Sequence, residues 1–284
     1  MKKFKRGLPL TKTSKYFFSG ENRAIGPTKS NLSMNHKILF LTIGFLTVLS
    51  CNPSLHYSKI EGKQIAITDT LPSSPAIEAF IEPYREHVNK SLDSVLSYAV
   101  DTYSKSDGYL NTAIGNLIAD GLYEQSNPIF KKRSGHDIDF ALINHGGIRA
   151  IISKGNITTR TAYEVMPFEN AIVVVKLKGE GVKELLEYLA AAKRAHPISK
   201  LNIELDKTGK LASAKIKGKP IDYDSTYYVL TNDYLLGGGD KMDFFKKNDT
   251  VYVLDYKIRN AMIDYFKTKD TVSPVKDNRF IQLQ

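Results

Sequence analysis

The chain has 284 residues, 42% of them hydrophobic and 25% charged, an ordinary globular composition with apolar side chains enough for a sizeable core. Its net charge of +10 is concentrated at the front: residues 1–33 carry eight Lys or Arg against one acid, Glu21, which leaves residues 52–284 near neutral at +2. That distribution argues against the broad basic surface of a nucleic-acid binder, and a single cysteine, Cys51, excludes an intramolecular disulfide.

Residues 1–33 hold charge and turn formers without periodicity and read as an extension ahead of a true start at Met34. From there MNHKILFLTIGFLTVLSC has a short basic region, an apolar stretch over 38–49 and a small residue before cysteine. Residues 34–51 resemble a bacterial lipoprotein signal peptide with the lipobox Val48-Leu49-Ser50-Cys51, which makes Cys51 the lipidated N-terminus. The apolar stretch is about a dozen residues, too short at ~1.5 Å per residue to cross a hydrocarbon layer of ~30 Å. A hydrophobic anchor with an incidental cysteine is the alternative. Residues 52–75, rich in Pro and Ser, read as a tether with a strand-like piece at 65–67.

The main domain is expected over 76–284. Ile77, Phe80, Ile81, Tyr84 and Val88 have helical spacing, with Pro83 expected to kink or interrupt the helix. Alternation at Val95, Ser97 and Ala99 predicts a strand. A helix opening at Asn111 or Thr112 places Ile114, Leu117, Ile118 and Leu122 on one face, and Gly115 permits either tight helix packing or close contact with a loop. Lys131-Lys132-Arg133 reads as a solvated loop. Strands follow at 138–143 and 171–177, a helix at 180–195, and a meander through 203–205, 212–216 and the turn at Gly218. The run Tyr227, Tyr228, Val229, Leu230 reads as a buried strand. Val251, Val253 and Leu254 suggest an extended piece, followed by a helix over 256–269 and a last strand over 280–283. Helices and strands alternate irregularly with hairpins between them, so the fold class is α+β, a single domain with a mixed β-sheet packed with helices.

Three loops carry the chemistry. Strand 138–143 ends in Asn144-His145-Gly146-Gly147-Ile148-Arg149, where two glycines let the backbone approach a ligand and Asn and Arg supply polar groups. His145 reads as a loop hydrogen-bonder, since no further His, Asp or Glu stands at ligand spacing. Met166-Pro167-Phe168-Glu169-Asn170 presents an aromatic just before a strand, either as a core plug or as a ligand contact. TNDYLLGGGD, residues 231–240, lets Gly237, Gly238 and Gly239 turn Asp240 back under Tyr234; a ring with a carboxylate suits a flat, hydrogen-bonding ligand.

Together, GNLIADG, LINHGGIRA, MPFEN and TNDYLLGGGD resemble in order and spacing the C-terminal domain of 5'-nucleotidases, over roughly residues 76–284. The resemblance implies that fold and a nucleoside-binding role in which two rings clamp the base. Phe168 and Tyr234 match the clamp, Asn144 and Arg149 the Asn and Arg of NGGGIR, and Asp240 the acid after the glycines. His145 and Glu169 stand where the family has glycine, Tyr234 where phenylalanine is common, and Leu110 near a frequent arginine.

The resemblance further implies that hydrolysis belongs to an N-terminal metallophosphoesterase domain with paired divalent metals. Its DxH and GNH motifs are absent from this sequence, and the six histidines (His36, His56, His87, His136, His145, His196) are scattered. The expected function is therefore nucleotide or nucleoside recognition as a stand-alone module. No cofactor is expected in this chain. Divalent metals are expected only in a separately encoded metallophosphoesterase partner, and the lipid on Cys51 is expected to hold the protein at the bacterial envelope, facing the periplasm or cell surface. A self-sufficient phosphoester hydrolase and a surface lipoprotein scaffold with a vestigial pocket are the alternatives.

Overall fold

The structure is a computed structural model that describes residues 35–48, 59–68 and 70–284. It divides into two compact units, Met1–Leu71 and Pro72–Gln284.

In the first unit, α1 (His36–Val48) is a 13-residue helix built from the apolar run HKILFLTIGFLTV. Among the described residues no helix is long and apolar enough to cross a membrane. Residues 59–68 form no regular element, so the strand-like piece expected at 65–67 is absent; two alternating isoleucines without a pairing partner do not make a strand. Cys51 and residues 1–33 lie outside the described residues.

The second unit begins with α2 (Pro75–Leu92), with proline at the first helical position, where its missing N–H costs nothing. Of the kink or interruption expected at Pro83, the interruption does not occur: the 18-residue α2 runs through it. Ala79, whose carbonyl Pro83 cannot bond, is exposed in a helix without a buried residue, so the lost bond is exchanged for water. Then come β1 (Val95–Ala99) and α3 (Ala113–Ser134). The Thr112 hydroxyl caps α3 by accepting from the Gly115 amide at 3.1 Å, and Gly135 ends it at φ 77°. Lys131-Lys132-Arg133, expected in a loop, form the last turn of α3, where cations suit the negative end of the helix dipole.

The chain continues through β2 (Phe140–Leu142), β3 (Gly155–Thr158), α4 (Thr159–Val165), β4 (Ala171–Lys178) and α5 (Gly179–Ala192). Next are β5 (Ile198–Ser199), β6 (Leu201–Leu205), β7 (Leu211–Ile216), β8 (Lys219–Pro220) and β9 (Thr226–Asn232). It closes with α6 (Asp233–Leu236), β10 (Thr250–Lys257), α7 (Ile258–Lys267), β11 (Thr271–Val272) and β12 (Phe280–Gln282).

The α+β class and mixed pairing hold, with the strands divided among three sheets. The central sheet has the order β10-β4-β9-β2-β5; only its β2–β9 pair is parallel. Strand β4 explains how the core is built. Ile172 and Val174 join one hydrophobic cluster, with α3, α4 and α7, while Val173, Val175 and Leu177 join a second, with α5 and β6. Successive side chains point to opposite faces, and both faces are covered, so the strand reads as a continuous apolar run.

Candidate functional site

Register builds the site. Ile172 of β4 pairs with Asn232 of β9, so the segment entering β4 lies beside the segment leaving β9. Strand β2 runs parallel to β9 with Ala141 opposite Leu230, which brings the loop after β2 to the same end of the sheet. All three loops singled out from the sequence therefore meet at one edge of the central sheet.

Between them lies a cavity of about 280 Å³ lined by Asn144, Gly146, Arg149, Phe168, Asn170, Tyr234 and Asp240. All five candidate contact residues reach it, and Gly146 with them. Gly147 is buried in the short 3₁₀ turn 145–147. Gly237, Gly238 and Gly239 shape the turn without lining the cavity. Gly238 adopts φ 86°, and a Cβ on Gly239 would run into the Tyr234 ring, so at both positions the backbone path depends on the missing side chain. Asp240 follows at φ 52°, the left-handed conformation that Asp tolerates better than most residues.

The two rings are presented to solvent rather than packed: Phe168 is 47% and Tyr234 46% exposed. Phe168 is thus not a core plug. The Arg149 guanidinium carbon lies 5.8 Å from the Phe168 ring centroid, and the side chain donates to the Gly146 carbonyl at 3.4 Å. The Tyr234 hydroxyl donates to Asp240 Oδ1 at 3.0 Å, and this bond, ahead of partial desolvation, holds the phenol above its ordinary pKa. Asn144 is buried, yet its Oδ1 has no hydrogen-bond partner among the described residues.

Several neighbours of the cavity were not apparent from the sequence. Asn170 lines the cavity; its only signal was its place two residues after Phe168. Behind the 144–149 loop, His196 Nδ1 accepts from the His145 amide at 3.2 Å, and the His145 ring Nδ1 lies 3.1 Å from the Ala195 carbonyl. Burial lowers the pKa of His196 to about 4, so its ring is neutral at pH 7; His145 is lowered too, chiefly by desolvation. His145 thus sits in a loop hydrogen-bond network. Lys105 donates to the Ile148 carbonyl at 2.7 Å, next to Arg149, and its pKa is lowered by burial and then by the charges of Arg149 and Arg194. None of these three cations has a carboxylate partner among the described residues. Of the three only Arg149 lines the cavity, together with the Asp240 carboxylate.

Among the described residues no three His, Cys, Asp or Glu side chains are grouped so that they could hold a metal ion.

Residues 93–247 match the family described as "5'-nucleotidase, C-terminal domain". The chain is 28% identical over 264 residues to the cell wall protein Lmo0130 of Listeria monocytogenes, covering 80% of this chain and 33% of that one. It is 37% identical over 108 residues to protein UshA of Escherichia coli, covering 36% of this chain and 19% of that one. The crystal structure of the 5'-nucleotidase precursor from Thermus thermophilus superposes with a TM-score of 0.62 at 28% identity, over 73% of this chain and 42% of that one. The chain thus spans about a third of Lmo0130 and less than half of the Thermus protein. On the extent of the family match and the agreement in fold, the chain belongs to the 5'-nucleotidase C-terminal domain family.

Proposed function

We propose that this protein recognises nucleotides at the edge of the central sheet and contributes substrate binding to nucleotide dephosphorylation by a separately encoded metallophosphoesterase. The carrying observation is that two half-exposed rings, Phe168 and Tyr234, from loops on different strands, line one cavity together with Asn144, Arg149 and Asp240. A base between the rings gains stacking of about 1–3 kcal/mol per base. The Asn144 side chain lines the cavity where the base would lie, the Asp240 carboxylate accepts from ribose hydroxyls, and Arg149 with Lys105 and Arg194 favours a ligand that carries phosphate. A volume of about 280 Å³ falls just below the roughly 300–1,000 Å³ range of small-molecule pockets, which suits the base and sugar more than a larger ligand.

Bond cleavage is assigned to the partner because the chain matches the C-terminal domain of the family, and the resemblance implies that hydrolysis belongs to the metallophosphoesterase domain. Residues 34–51 place the protein at the bacterial envelope through lipid on Cys51, a reading supported by the short apolar helix α1 and by similarity to a protein named as a cell wall protein.

Purification of the full chain from membranes of its native cell tests the assignment. AMP-hydrolysing activity that co-purifies with it, is abolished by a chelator and is weakened when the chain carries Phe168→Ala supports the proposal. Preparations that bind neither adenosine nor AMP overturn it.

A further inference from the structure

Three consecutive residues at the junction of β10 and α7 reach the loop that carries Phe168. Lys257 Nζ donates to the Glu169 carbonyl at 2.7 Å, and the Ile258 amide donates to the Asn170 carbonyl at 3.0 Å. Arg259 does most: Nη1 donates to the Pro167 carbonyl at 3.0 Å, and Nη2 pairs with the Glu169 carboxylate. The Arg259 side chain is 7% exposed, and its guanidinium carbon lies 4.0 Å from the centroid of the Tyr163 ring. One planar, permanently charged group therefore holds the residue before Phe168 and the residue after it, backed by an aromatic from α4. Phe168 itself makes no contact of this kind with α7 and remains half-exposed.

From this geometry we propose that Arg259, acting through Glu169, is a positioning residue that fixes the backbone on both sides of Phe168 and so pre-orients the ring for ligand. The proposal rests on the nucleotide-binding reading of the cavity. An exposed ring on the five-residue connection 166–170 between α4 and β4 samples many orientations, and ordering it at the moment of binding costs affinity. Clamping residues 167 and 169 removes that cost beforehand without occupying either ring face from α7. The Tyr163 face, the Pro167 carbonyl and the Glu169 carboxylate match the flat, forked donor shape of arginine, which a lysine cannot reproduce.

The test uses the full chain with Arg259→Lys, Glu169→Gln and the exchange Glu169→Arg with Arg259→Glu, each alone and with Phe168→Ala. Two readouts separate this proposal from the one beneath it. The first, hydrogen exchange of the free protein, needs no ligand: Arg259→Lys and Glu169→Gln should accelerate exchange in the 166–171 segment about five- to tenfold while β4 and α3 keep their protection. The second is AMP affinity by calorimetry. Each single substitution should weaken it about three- to tenfold, and should have no further effect once Phe168 is alanine, because residues acting as one unit are not additive. The charge exchange should recover part of the affinity.

Unchanged exchange in the 166–171 segment overturns the proposal, as does an equal loss of affinity with and without Phe168. If exchange accelerates as described while the unaltered chain fails to bind AMP, the bracket stands and the nucleotide reading falls.

Discussion

The Tyr234 hydroxyl and Asp240 are joined twice: the hydroxyl donates to Asp240 Oδ1 at 3.0 Å and accepts from the Asp240 backbone amide at 3.2 Å. The six-residue span between ring and acid is thereby closed on itself, with Gly238 and Gly239 making the path. Tyr188 of α5 adds a third tie, donating to the Asp240 carbonyl at 2.8 Å. The acid and the ring form one rigid unit, which is how a solvent-exposed loop can present both at fixed spacing.

Tyr234→Phe keeps the ring and removes both bonds. AMP affinity should fall about two- to fivefold, the worth of one or two partly solvated hydrogen bonds, with little change in melting temperature. Gly239→Ala should do more, about tenfold or greater, because its methyl displaces the ring itself. Calorimetry on the two variants gives the order; a larger loss in Tyr234→Phe than in Gly239→Ala contradicts it.

Asp240→Asn separates charge from backbone shape. Asparagine also tolerates φ 52°, so unfolding midpoints should stay within about 1 kcal/mol of the parent while affinity for ribose-containing ligands falls about tenfold. A large stability loss would show that the carboxylate serves the fold instead.

His196 gives the stability a pH dependence of known sign. Its folded pKa of about 4 lies below the ordinary value of 6.5, so between these values the unfolded chain binds a proton that the folded chain does not. This contribution is fully present above pH 6.5 and is lost as pH falls toward 4, at up to about 1.4 kcal/mol per pH unit. The lowered pKa of His145 adds in the same direction. His196→Asn, whose side-chain oxygen can still accept from the His145 amide, should flatten the loss of stability between pH 6.5 and 4.5. Urea unfolding at several pH values measures it, and an equal slope in parent and variant refutes the assignment.

Much of this was legible in the sequence because each signal was local. Strand β4 announces itself as an apolar run since both its faces are covered, and the three loops carry glycines or aromatics directly at strand ends. Helix α4 and strand β3 were missed because GNITTRTAYEV has no apolar stripe, its buried positions being few and small. The C-terminal half of α3 was hidden by Pro128 and the three cations, which read as a loop until tertiary packing of Phe130 decides otherwise. In the site, Phe168, Tyr234 and Asp240 stood out, whereas Lys105, His196 and Arg259 did not. Their roles come from contacts across the fold, and a single Lys, His or Arg in a helix or loop carries no local signature of its partner.

Arg279 marks where scaffold ends and site begins. Its guanidinium donates to both oxygens of Asp120 on α3, at 3.0 and 2.9 Å, to Asp277 at 2.8 Å and to the Ile198 carbonyl at 2.7 Å, locking the C-terminal segment onto α3 and β5. Arg279→Ala should cost about 2–3 kcal/mol in urea unfolding, the partly solvated carboxylates softening the loss. AMP affinity of the folded variant should be unchanged, since no atom of this cluster lines the cavity around Phe168.

The most direct measurement is the affinity of the full chain for AMP, by calorimetry, in the parent and in Phe168→Ala and Tyr234→Ala. Nucleotide recognition between the two rings requires measurable binding in the parent and a loss of about tenfold or more in each variant at unchanged melting temperature. Absence of binding in the parent, or equal affinity in all three proteins, contradicts it.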